Sequence, residues 1–253
     1  MRNIKLTEGL RNIKLTIEYD GTEYVGWQRQ PSGRTVQAEI ERALESMTGQ
    51  RTVVNGSGRT DSGVHALGQT ASFRTESSLS LARIHKGLNS LLPPDIAILR
   101  AEEMDPAFHA QHSAKRKTYV YEILNRPERS AMLRERAWHV YPELDPDAMK
   151  EAALALVGEH DFRAFAHAGI TVRSTVRTVF RAEAVKKGDF ITFTIEADGF
   201  LKRMVRLIVG TLVEVGKGKI TPGDFSDILD RGEKTKHVHA APARGLYLKE
   251  VLY

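Results

Sequence analysis

A chain of 253 residues with 41% hydrophobic content makes one large domain or two of ordinary size, with enough apolar residues to fill proper cores. It contains no cysteine, which excludes disulfides, thiolate catalysis, iron–sulfur clusters and cysteine-ligated zinc. Lys and Arg outnumber Asp and Glu by 37 to 32, a net charge of +5 with an isoelectric point near 9.4, the balance expected of a protein that meets nucleic acid.

Residues 2–7, Arg-Asn-Ile-Lys-Leu-Thr, recur at 11–16. Six residues are too few for a structural repeat. A disordered extension is therefore expected at 1–10, and the fold is expected to begin with the second copy. From Ile13 the apolar residues Ile13, Leu15, Ile17 and Tyr19 alternate with Lys14, Thr16 and Glu18, which predicts a half-buried strand. Asp20-Gly21 turns the chain into an aromatic-rich stretch at 24–28. Thr35 is placed to cap a helix with Val36, Ile40, Ala43, Leu44 and Met47 on one stripe and Gly49 past its end.

Residues 56–66 read Gly-Ser-Gly-Arg-Thr-Asp-Ser-Gly-Val-His-Ala. A carboxylate among small residues and glycines sits where a substrate can approach the main chain. Arg59 and Asp61 are two apart and point to one side in extended backbone, so the guanidinium favours the ionised carboxylate, a nucleophile or general base. A Gly-rich turn whose aspartate caps a backbone amide is the competing reading. Next come a short strand at Thr70–Phe73, a helix over about 81–92 with Leu81, Ile84, Leu88, Leu91 and Leu92 inward, a stop at Pro93-Pro94, and a strand from Ile96. Periodicity fades at Met104–His109, which predicts a boundary between an N-terminal unit at 11–105 and a C-terminal unit at 106–253.

In the second half Tyr119, Tyr121 and Ile123 share a strand face. Asp145-Pro146 opens a helix with Met149, Ala152, Ala153, Leu156 and Val157 in a stripe and Gly158 at its end, and residues 191–197 alternate as a strand. The period turns helical through Leu201, Met204, Val205, Ile208, Leu212 and Val215. Arg206, Gly210 and Glu214 break that stretch, so no segment reaches the roughly 20 apolar residues of a membrane span. No apolar leader opens the chain, and a cytoplasmic location is expected. A short helix from Thr221-Pro222 and a strand at 246–252 complete an α+β pattern. Lys115-Arg116-Lys117 leads into Thr118-Tyr119-Val120-Tyr121, and Lys202, Arg203 and Arg206 cluster further on. Cations suit phosphates and aromatic faces suit unstacked bases, although solvated charge beside two core tyrosines reads the same way.

Five motifs in order carry a resemblance to the TruA-type tRNA pseudouridine synthases. They are Tyr19–Gln28, Gly58–Ala66, Phe108-His-Ala with Lys117–Tyr121, Phe200–Gly210 and Ala241–Leu248. The resemblance implies two mixed α/β subdomains with mostly antiparallel sheets flanking a central active-site cleft. It also implies a homodimer that needs no cofactor or metal and isomerises uridine to pseudouridine at positions 38, 39 and 40 of the tRNA anticodon stem-loop. On the matching positions Asp61 is the catalytic residue, Arg59 its neighbouring arginine, Tyr119 the residue against the target base, and Arg206 an arginine facing Asp61. Lys115, Arg116, Lys117, Lys202 and Arg203 are the expected RNA contacts.

The physical chemistry agrees. The reaction breaks the bond from N1 to C1′, turns the base and rejoins it through C5, and a carboxylate can assist by attacking C6 or C1′ or by removing the C2′ proton. The target nucleotide must leave the helix stack at a cost of a few kcal/mol. Arg206 interrupts the most apolar helix, where an unpaired cation is costly to bury, so Asp61 is its expected partner; a place on the solvent stripe is the alternative. Asp61-Ser62-Gly63 also matches the aspartic-protease core, but occurs once where a dyad needs two. The pairs His237/His239 and His109/His112 lack a third ligand. The rival of a different class is a non-catalytic tRNA-binding or remodelling protein, and Asp61 in its full local context favours the enzyme.

Overall fold

The computed structural model describes residues 9–253 apart from 168 and 170; most of the extension expected at 1–10 lies outside the described residues. Alternation produces β1 (Arg11–Tyr19), with Ile13, Leu15, Ile17 and Tyr19 buried. It lies antiparallel between β3 (His65–Thr75) and β4 (Ile96–Met104), while β2 (Asn55–Gly56) pairs with β3. Helix α1 (Val36–Thr48) starts where the Thr35 hydroxyl accepts from the Ala38 amide and ends at Gly49 in the left-handed region. It packs on α2 (Leu81–Leu91), which packs on β4.

The remaining elements are β5 (Arg116–Asn125), β6 (Trp138–Val140), α3 (Pro146–Leu154), β7 (Gly158–Asp161), β8 (Val176–Lys187), β9 (Phe190–Ala197), α4 (Met204–Gly216), α5 (Pro222–Arg231) and β10 (Leu246–Leu252). Asp145 caps α3, and Thr221 with Asp224 forms a capping box on α5. Helices α3, α4 and α5 pack on one another, and α3 also packs on β8. One ten-stranded sheet runs through the molecule in the order β4-β1-β3-β10-β5-β9-β8-β7, with β6 on β5. Pairing is antiparallel except for β3–β10 and β5–β6, so the fold class is the mixed α/β, mostly antiparallel one expected. The last strand, β10, lies between β3 and β5 and brings the C-terminal motif beside the Asp61 motif.

Three sequence expectations are corrected, and the long strand β8 is one that the alternation pattern does not announce. Strand β3 is eleven residues long, not four; its buried Gln69, Thr70 and Ser72 hide it from an alternation search. Strand β8 carries few large apolar residues, and a register shift between Val179 and Arg181 breaks its alternation. Leu91 is exposed because the backbone turns extended at Leu92, which takes the inward place. Helix α3 stops at Leu154, so Val157 faces outward and Gly158 opens β7 rather than ending the helix.

Candidate active site

Asp61 lies in the loop between β2 and β3, and nearly every residue around it is tied down. The Ser57 amide donates to the Thr70 carbonyl at 2.7 Å, the Ser57 hydroxyl donates to Gln69 Oε1 at 2.7 Å, and Gln69 Nε2 donates to the Gly58 carbonyl at 3.0 Å. Thr60 and the buried Tyr19 share a hydroxyl hydrogen bond of 2.8 Å. Burial pushes the Tyr19 phenol up to about 12, against the pull of its Thr60 and Gln69 hydrogen bonds, so it stays protonated. The Ser62 hydroxyl and the Gly63 amide both donate to the Tyr24 carbonyl at 3.2 Å. The Val64 amide donates to the Asp61 carbonyl and closes a turn that puts Gly63 at φ 74°.

The aromatic-rich stretch after β1 forms the bed of this loop. The Trp27 amide donates to the Thr60 carbonyl at 3.2 Å. A Cβ at Gly26 would stand 2.6 Å from that carbonyl oxygen, and one at Gly21 would stand 2.0 Å from the Val64 oxygen. The two glycines therefore set how closely the segment approaches, and a side chain at either would lift Asp61 from its place.

The opposite wall is the start of α4. Arg203, its N-cap, has φ 63° and is the one non-glycine with positive φ among the described residues, a conformation that costs an L-residue about 1–2 kcal/mol. Arg206 Nε donates to the Ala241 carbonyl at 2.7 Å, and Arg206 Nη1 stands 3.3 Å from Asp61 Oδ2. The pair is half-buried, with 16% of the Arg206 side chain and 26% of the Asp61 side chain exposed. Tyr119, on β5, is buried and meets Phe200 edge-on with ring centroids 4.9 Å apart. Burial, helped by Tyr19 and Asp61, holds its phenol well above the usual range, so Tyr119 offers a face and a donor rather than a base. These walls enclose an open cleft of about 1190 Å³, lined also by Arg59, Lys117, Arg177, Lys202 and Arg203.

The structure separates the sequence-predicted residues. Asp61, Arg206 and Tyr119 come together. Arg59 lines the cleft but is exposed and makes no hydrogen bond or ion pair with Asp61, contrary to the expectation from their spacing; the loop is not a strand there, and Arg206 is the counter-ion. Alternation along β5 turns Lys117 and Arg116 to opposite sides, and Lys115 precedes the strand. Lys117 faces the cleft, its Nζ donating to the Ser57 carbonyl at 2.7 Å, and burial and then Arg177 lower its pKa. Arg116 turns away, 2.9 Å from Glu196, with its guanidinium 4.0 Å over the Phe180 ring. Lys115 is exposed and does not line the cleft. Sequence reasoning missed Gln69, which braces the loop, and Arg177 at the lip; Gln69 carried a signal, a polar side chain amid a strand-forming run. Among the described residues no three His, Asp or Glu side chains converge as a metal site.

One carboxylate against a clamped guanidinium, an aromatic face and a cationic lip are the equipment for acting on a single nucleotide of an RNA. A family model described as tRNA pseudouridine synthase matches residues 15–113 and 152–253. A tRNA pseudouridine synthase A 2 of Clostridium perfringens (strain 13 / Type A) is 46% identical over 244 residues, spanning 96% of this chain and 100% of the relative. The tRNA pseudouridine synthase A of Thermoanaerobacter sp. (strain X514) is 45% identical over the same shares, and that of Geobacter sp. (strain M21) is 46% identical over 96% and 99%. The chain belongs to the tRNA pseudouridine synthase family.

Proposed function

We propose that this chain, an isomerase acting on tRNA, converts uridine to pseudouridine at positions 38, 39 and 40 of the anticodon stem-loop, with Asp61 as the catalytic carboxylate. The observation that carries the assignment of Asp61 is its position at the floor of the cleft, on a loop bonded to four other segments, with Arg206 Nη1 3.3 Å away. The N1–C1′ bond breaks, the freed uracil turns, and C5 bonds to C1′; C5 gives up its proton and N1 gains one, so nothing is oxidised or transferred in net. Arg206 orients the carboxylate while Asp61 acts as nucleophile or base.

The target nucleotide leaves the stack to reach the cleft, where Tyr119 and Phe200 supply an aromatic surface. Arg59, exposed at the lip, fills the vacated place or holds a phosphate, and Lys202, Arg203 and Lys117 neutralise the backbone. Lys115 and Arg116 extend that basic surface outside the cleft. The units 11–105 and 106–253 act as two subdomains joined through β10, and the protein works as a cytoplasmic homodimer without cofactor. The test is modification mapping on an unmodified transcript with uridines at the three positions. Wild type is expected to place pseudouridine there and Asp61→Asn to bind without modifying; binding without modification by either protein would make the chain an RNA-binding protein.

A further inference from the structure

The segment after α5 ends in Ala241-Pro-Ala-Arg-Gly245, and the reaction as described uses none of it. Its backbone lies along the start of α4. The Ala241 amide donates to the Arg206 carbonyl at 2.9 Å, while Arg206 Nε donates to the Ala241 carbonyl at 2.7 Å. One residue thus holds Arg206 by both main chain and guanidinium. The next carbonyl, of Pro242, accepts from the Tyr121 hydroxyl at 2.7 Å. On the helix side, a Cβ at Gly210 would stand 1.9 Å from the His239 oxygen, so the segment lies flush on α4.

The distances rank what holds the guanidinium. At 3.3 Å the contact with Asp61 is long for a charge-assisted hydrogen bond, whereas the bond to Ala241 is short. Fixing Nε fixes the plane of the planar group, and with it the direction in which Nη1 points. Tyr121 is fully buried, and burial keeps its phenol protonated and therefore a donor. Its ring meets Trp138 edge-on, and a Cβ at Gly245 would stand 2.6 Å from it, so the hydroxyl has one place to be.

We propose that residues 239–245 form a positioning strap for Arg206 and that Tyr121 is its pin: the hydroxyl fixes Pro242, hence the Ala241 carbonyl, hence the aim of Arg206 at Asp61. The inference rests on the reading of Asp61 and Arg206 given under the proposed function. Tyr121 and Ala241 touch neither Asp61 nor the expected place of the base; they are positioning residues.

Tyr121→Phe removes the hydroxyl and keeps the ring. In single-turnover assays on a tRNA transcript the rate at saturation is expected to fall about tenfold, with tRNA Kd within about twofold of wild type. In an Arg206→Gln background the same change is expected to have no further effect, because the strap then has nothing to aim. Gly210→Ala, which pushes on His239 from the other side, is expected to repeat the pattern. An unchanged rate, or losses that multiply in the double variant, overturns the proposal. A readout free of catalysis is the Arg206 Nε–H resonance, assigned by its loss in Arg206→Gln: it should exchange slowly in wild type and fast in Tyr121→Phe. Slow exchange in both overturns the strap even if no tRNA is modified, whereas strap behaviour with an inactive wild type fails only the reading of the reaction.

Discussion

The floor and the lip of the cleft are built on opposite plans. On the floor, Ser57, Gly58, Thr60, Ser62 and Gly63 are each bonded to another segment, and Arg206 is held by Ala241. At the lip, Arg59, Lys202 and Arg203 are exposed. In the proposed function, a carboxylate that must reach one reacting atom or proton gains from fixed geometry, because misplacement by about 1 Å can cost 100-fold in rate. Cations that must follow an RNA backbone gain from freedom, since phosphate attraction is long-ranged and tolerates many poses. Rigid parts should therefore control rate, and loose parts affinity.

The sharpest way to break this division is Asp61→Asn, which keeps the shape and removes the charge. We expect single-turnover activity to fall by at least about 10⁴-fold with tRNA affinity within about twofold. Arg206→Gln comes next, with an expected loss on the order of 100-fold, since it leaves a half-buried carboxylate without its cation. A larger change in Kd than in rate for either variant would contradict the division. The lip should answer in the other currency. Lys202→Ala and Arg203→Ala are each expected to raise Kd by about 3–10-fold and to lower the slope of log Kd against log salt by about one unit. Between the two stands Tyr19→Phe, which strips Thr60 of its buried hydrogen bond: an expected loss of about 1 kcal/mol in unfolding free energy, with rate down several-fold and affinity unchanged.

The same division explains what the sequence reveals. Strands β1, β9 and β10 and helices α1 and α5 stand out because one face of each is apolar and the other is not, and α4 because it is apolar almost throughout. Strand β3 does not, because it buries polar side chains, Gln69 among them to brace the Asp61 loop and Ser72 to accept from the Ala110 amide, so other demands override the pattern that would have announced it. That Arg206 needs a counter-ion was legible from energetics, as a cation inside an apolar helix is costly unpaired; that Asp61 supplies it came from the family resemblance, with a place on the solvent stripe as the alternative. Its partner in the loop was misjudged for Arg59 because that inference assumed extended backbone. The separation of Lys117 from Arg116 follows from strand alternation and could have been drawn from the sequence, whereas Lys115 lies before the strand begins. What no local pattern carries is the bed of Gly21, Gly26 and Trp27 under Thr60 and Val64, contacts made across more than thirty residues.

The smallest expected effect concerns acid stability, and it probes the bed rather than the floor. Burial would raise the Asp20 pKa, but hydrogen bonds from Arg136 at 2.6 Å and from the Thr22 hydroxyl and amide outweigh it and set the value at about 2, against an ordinary 3.8. A depressed carboxylate contributes stability that is present above its unfolded value and is lost as pH falls from about 4 toward about 2. His65, against the same aspartate, is lowered by burial, with Asp20 pulling the other way; its Nδ1 accepts from the Gly21 amide at 3.0 Å, which requires the neutral ring. The unfolded chain takes up that proton near pH 6.5, so the His65 contribution is present above 6.5 and lost as pH falls through its lower folded value. Melting temperature should therefore drop in two steps on acidification. His65→Gln should flatten the upper step and Asp20→Asn the lower, the latter by little, because Asp20 is partly exposed. A melting temperature that rises as pH falls below 6.5 would mean that His65 takes its proton and pairs with Asp20, 3.0 Å away, giving up the Gly21 amide; the bed of the loop would then be a second movable part and not an extension of the rigid floor.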